Sequence, residues 1–163
     1  MALKYTQVHE NLCFVNTWES RHAKRIGEAV KRRRNVLGVS AQQLSERTDG
    51  LGLKLTRQSI ADLENGRRRY VTTAELAILA VALKVPPILL LFPDFPAGEV
   101  EVVPGTQRTS EDAIEWFSGS WPGPGATSPT NPGLELIRAV RELRDAELDR
   151  MAAQSGGTPK LLD

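Results

Sequence analysis

Cysteine is almost absent from this chain of 163 residues: Cys13 stands alone. A single thiol excludes an intramolecular disulfide and a cysteine-rich zinc site, and it suits a reducing compartment. Histidine is scarce too. His9 and His22 are the only two, too few to build a metal centre without carboxylate help, so no cofactor is expected. No HExxH, P-loop, GxSxG or GxGxxG pattern occurs, and no enzyme activity is expected. Long apolar runs are also missing. The most apolar stretch, 76–92, is broken by Lys84 and by Pro86-Pro87, short of the ~20 residues that span a bilayer. The first twenty residues lack an apolar signal-peptide core. These absences point to a cytoplasmic protein and away from the membrane.

Charge, by contrast, is plentiful and unevenly spread. The net value of +1 hides a split. Residues 21–70 carry thirteen Lys and Arg against five Asp and Glu, whereas residues 71–163 carry seven against thirteen. A basic segment of this kind suits a polyanion, and the acidic remainder suits contacts of another kind.

The basic segment reads as helices. Residues 21–37 place Ile26, Ala29, Val30 and Leu37 on one face, with Lys24, Arg25 and the run Lys31-Arg32-Arg33-Arg34 around it. That run is either a solvated face or, in part, a phosphate contact. Gly38 suits a helix end and Ser40 a cap for a second helix over 41–48. A third helix follows over 56–65, capped by Thr56 and stopped by Gly66. Its Ile60 and Leu63 point inward, and Arg57, Gln58, Ala61, Asp62 and Asn65 form the outer face. Two short helices joined by a turn, with a polar outer face on the second, make a helix-turn-helix arrangement. Thr72 to Glu75 form a capping box for a fourth helix that buries Leu76, Leu79, Ala80 and Leu83. Residues 88–91 add a last short turn.

Residues 24–92 resemble the lambda-repressor-like, Cro/C1-type helix-turn-helix family. The resemblance rests on Arg34 followed by Gly38-Val39-Ser40, on Leu44, on Ile60 and Leu63, and on Glu64-Asn65-Gly66. The helix ending in Leu83-Lys84-Val85-Pro86 completes it. The chain resembles the variant found in repressor-like proteins of actinobacteria and their phages. The resemblance implies an all-α, five-helix DNA-binding domain and an ion pair between Arg34 and Glu64. It also places Arg57, Gln58 and Asp62 where the family reads bases. Phosphate contacts would come from Ser40, Gln42, Gln43, Thr56, Ser59, Asn65, Arg67, Arg68 and Arg69. Two departures stand out. Ala41 occupies the place where the family often has a phosphate-touching Gln, and the turn between Thr48 and Thr56 is longer than usual. Leu51, Leu53 and Leu55 in that turn are expected to fold back on the core. Ala97-Gly98 resembles the self-cleavage dipeptide of some phage repressors. Lys160, the only lysine after it, lies outside any strand-rich segment, so self-cleavage is not expected.

The remainder divides by composition. Residues 1–20 form an N-terminal arm and residues 21–93 the DNA-binding domain. Residues 94–118 are a short mixed extension, with a strand over 99–103 and a helix from Ser110 to Phe117. Residues 119–133 contain four Pro and four Gly and read as a linker. Asn131-Pro132 starts an amphipathic helix over 134–153, and 154–163 is expected to be a disordered tail. Leu136, Ile137, Val140, Leu143 and Met151 form that helix's apolar seam, with Arg138–Glu142 and Arg141–Asp145 as flanking pairs. The seam must pack on its own domain or on a second chain, and homodimerisation is favoured. The expected function is a nucleoid-associated, sequence-specific repressor of operator DNA, of phage or mobile-element origin. The alternative is an antitoxin-like adaptor whose 94–153 region binds a protein partner.

Overall fold

The computed structural model describes residues 17–125 and 131–154. Most of the N-terminal arm, part of the linker and the tail lie outside these residues. The described residues are all-α but for one hairpin, and the chain divides into two compact units, 1–111 and 112–163.

The first unit opens with α1, Trp18–Val36, which starts three residues before the sequence periodicity suggests because Thr17 caps it. Its inner face buries Ala23, Ile26, Ala29 and Val30, while Leu37 only caps the end. Next come α2, Ala41–Gly50, and α3, Arg57–Glu64. Then α4, Thr73–Ala82, and α5, Pro87–Leu91, complete the five helices. Leu44, Ile60, Leu63, Leu79, Leu83 and Leu90 meet in the core at 0–2% exposure. Close packing there asks for the smallest residue where α1 crosses α3. Gly27 is that residue: a Cβ added to it would overlap the Leu63 carbonyl.

The long turn after α2 hangs on Thr48. Its hydroxyl, fully buried, donates to Ser45 O at 2.9 Å and accepts from the Leu55 amide at 3.1 Å. Only Leu55 folds back on the core, at 7% exposure. Leu51 and Leu53 remain 44% and 38% exposed, contrary to the expectation for all three. The physical reason is that Thr48 and the turn's own amide bonds, Leu51 N–H and Leu53 N–H to Thr48 O, close the loop without them.

After α5 the chain forms β1, Glu99–Val103, paired antiparallel with β2, Thr106–Thr109. Sequence alone offered β1 without its partner, since β2 (TQRT) has little apolar character. Glu101 fastens the hairpin to α1, accepting from Arg21 at 2.7 Å while its backbone oxygen accepts from the Trp18 indole. Helix α6, Ser110–Phe117, follows.

In the second unit, α7, Pro132–Gln154, is 23 residues long and buries only Leu134. Arg141 donates to Ser120 Oγ and Ser118 O, both at 2.6 Å, and Arg138 donates to Ser120 O. These arginines thus turn to residues 118–120 instead of forming the i,i+4 pairs expected with Glu142 and Asp145. Among the described residues no helix is long and apolar enough to cross a membrane.

Candidate DNA interface

The outer face of the helix-turn-helix is built from what packing leaves free. Ile60 and Leu63 take the inner face of α3. The helical period then turns Arg57, Gln58 and Asn65 to solvent, with Ala61 and Asp62 partly covered. Thr56 caps the helix, its hydroxyl accepting from Ser59 N–H at 3.0 Å. At the other end Gly66, in the left-handed region at φ 67°, lets Arg67 N–H return to Asp62 O at 2.8 Å.

On that face Asp62 is a hub. Its Oδ1 accepts from Gln58 Nε2 at 2.9 Å and from Arg67 at 3.4 Å. The carboxylate thus holds Gln58, one turn before it, and not Arg57, which has no side-chain hydrogen bond or ion pair among the described residues. A Gln58 amide held by one hydrogen still presents its other N–H and its oxygen, the pair that matches an adenine edge. Arg57 keeps its full fork, which matches guanine.

The flanking polar residues divide into engaged and available. Ser40 and Gln43 close a capping box on α2, with bonds of 3.1 and 2.8 Å. Gln43 spends its oxygen there, which leaves its two amide hydrogens to donate. Gln42 donates to Glu46 at 2.9 Å. The first turns of α2 and α3 add unpaired backbone N–H groups and the positive helix end, which favour an anion. Of the three arginines after α3, Arg68 is committed to Glu75, at 2.7 and 3.1 Å, and Arg69 lies 3.8 Å from Glu19. Burial acts to raise the Glu75 pKa, but hydrogen bonds from Arg68 and Thr72 outweigh it and hold the carboxyl below its ordinary range. Arg67, its side chain 69% exposed, is the most open of the three.

The basic run on α1 is largely architectural. Arg32 meets Asp94 at 3.1 Å, and Arg33 donates to the Leu83 and Lys84 carbonyls that end α4. Arg34 donates to both Glu64 oxygens and to Val39 O. Three residues that sequence reading passed over also hold the motif. They are Thr48, Gly27, and Arg47, which donates to Ala82 O at 3.2 Å. A glycine inside an otherwise helical period was the one available signal for Gly27.

No curated protein and no solved structure matches the chain. A family model described as Helix-turn-helix matches residues 30–90, the span from the end of α1 to α5. That span holds α2 and α3 with their capped starts and the polar face between them. Over residues 30–90 the chain therefore matches the Cro/C1-type helix-turn-helix family, and the match supports a DNA-binding transcription regulator.

Proposed function

We propose that the protein is a sequence-specific repressor of double-stranded operator DNA, of the kind carried by phages and mobile elements, with α3 in the major groove. The observation that carries this reading is the outer face of α3. Arg57 is unengaged and Gln58 is held by Asp62, on the side opposite buried Ile60 and Leu63, within the most basic part of the chain. Arg57 and Gln58 contact base edges. Ser40, Gln42, Gln43, Thr56, Ser59, Asn65 and Arg67 face the phosphates that flank the groove. Arg68 and Arg69 reach phosphate only by leaving Glu75 and Glu19. The apolar seam of α7 joins two copies on a site with two half-sites.

Selection of bound sequences from random double-stranded DNA tests the reading. A symmetric enriched site, whose occupancy lowers transcription from a promoter overlapping it, supports it. No enrichment, or enrichment with raised transcription, ends it. The exposed seam of α7 also favours a second reading, an antitoxin-like adaptor. In that case a stoichiometric protein partner purifies with the chain and covers the seam.

A further inference from the structure

Helix α7 presents an apolar stripe that no described residue of its own unit covers. Leu136, Val140, Leu143, Leu148 and Met151 are 53–66% exposed. At 3.6 residues per turn they fall within a stripe about 140° wide. The neighbouring side of the helix is already occupied. There Leu134 is buried, and Arg138 and Arg141 hold residues 118–120. Five large apolar side chains in one exposed row mark an interaction surface.

Two charges sit inside this stripe, Arg144 and Glu147. Both are exposed, and neither has a hydrogen bond or ion pair among the described residues. Their positions carry information about the occupant. From a midpoint between Asp145 and Ala146, the stripe reads outward as Arg144, Leu143, Val140 in one direction and Glu147, Leu148, Met151 in the other. The order is the same on both sides, except that the sign of the charge reverses.

We propose that α7 pairs with α7 of a second copy in antiparallel orientation, about a two-fold axis at that midpoint. In this register Arg144 of each protomer faces Glu147 of its partner. Leu143 faces Leu148 and Val140 faces Met151, so both charges are neutralised and the apolar row is continuous. A parallel pair would set Arg144 against Arg144 and Glu147 against Glu147, which costs like-charge repulsion inside an apolar seam. A partner of other chemistry would have no reason to require the mirrored order. The inference rests on the reading of α7 as a homodimer contact and adds its orientation. At 1.5 Å per residue, the two Pro132 residues would stand about 40 Å apart, comparable with one turn of B-DNA.

Sedimentation equilibrium of the full chain tests it, with R144E, E147R and an equimolar mixture of the two. The wild type is expected to dimerise at micromolar concentration. Each variant alone sets like charges across the axis and should weaken dimerisation at least about tenfold. The mixture should recover a heterodimer, because two Glu residues then face two Arg residues. The double variant R144E/E147R should dimerise like the wild type, which separates a lost contact from a lost helix. A wild-type dimer that either single variant leaves intact, or that the mixture fails to restore, overturns the antiparallel register alone. A wild type that stays monomeric overturns the homodimer reading itself.

Discussion

Arg34, near the end of α1, grips the carboxylate of Glu64, the last residue of α3, with two hydrogen bonds of 2.7 and 2.8 Å. The side chains are 15% and 6% exposed. The third bond, from Arg34 to Val39 O at 2.8 Å, reaches the chain just before α2. One guanidinium therefore fixes three parts of the motif, and the hydrogen bonds to Glu64 raise its pKa above the ordinary arginine value despite partial burial. Removing one partner of a buried pair typically costs about 3–5 kcal/mol, and this slightly exposed pair should sit near the lower end. Glu64→Ala should lower the melting temperature by roughly 10 °C or more, whereas Glu111→Ala, at an exposed position, should change it little. Similar small losses from both would show that the pair contributes no stability.

Reading and clamping should separate in binding. Arg57→Ala should cost about 1–3 kcal/mol on the selected site and relax preference at one base pair, with little change on random DNA. Arg67→Ala should weaken both DNAs alike and make the salt dependence shallower by about one unit. Arg68→Ala should act chiefly on stability, because Glu75 loses its partner. Anisotropy titrations at several salt concentrations measure all three. An equal loss on both DNAs for Arg57→Ala would remove α3 as the reader.

Thr48 gives a prediction about the turn. Thr48→Val keeps the shape of the side chain but leaves the buried Leu55 N–H without an acceptor, at a cost of about 1–3 kcal/mol. Thr48→Ser should retain most of that stability. Urea unfolding of the two variants decides the matter, and a valine variant as stable as the serine one would refute it.

His22 should make the domain sensitive to mild acid. Its ring stacks on Trp18 with centroids 5.1 Å apart, and Nδ1 accepts from Arg25 at 2.7 Å. Burial, and then the Arg25 charge, hold its pKa down to about 4 from an ordinary 6.5. The unfolded chain thus takes up the proton first. Stability from the neutral ring is complete above pH 6.5 and is lost as pH falls toward about 4. The full shift corresponds to about 3 kcal/mol, which partial exposure reduces to about 1–2. Thermal melts at pH 7.5 and 5 should show a larger drop for the wild type than for His22→Gln. Equal drops would place the acid sensitivity elsewhere.

What was legible in the sequence was whatever repeats or punctuates. The inward positions Ile26, Leu44, Ile60, Leu63 and Leu79 recur at helical spacing, and Ser40, Thr56, Thr72 and Gly66 mark helix ends, so the five helices could be placed within a few residues. Beyond the Arg34–Glu64 pair that the family resemblance implied, partner choice was not legible. Arg68 looked free because nothing local shows that Glu75 comes within 2.7 Å of it. Arg33, in a run that reads either as a solvated face or in part as a phosphate contact, instead holds the end of α4, because the ends of α1 and α4 meet only in the folded chain. Thr48 was hidden for the same reason. A buried hydroxyl that supports a turn looks, in sequence, like any other threonine.

The division of labour along α3 has a consequence for redesign. Arg57, Gln58 and Asn65 carry no core packing, while Gly27, Arg34 and Thr48 fix the helix from the far side. Preference for a DNA sequence should therefore be rewritable at the outward positions without refolding the domain, and related regulators could diverge in target while keeping one scaffold. Asp62 limits that freedom. Its carboxylate joins Gln58 to Arg67, so residues 58, 62 and 67 should be exchanged together, as a single unit of recognition.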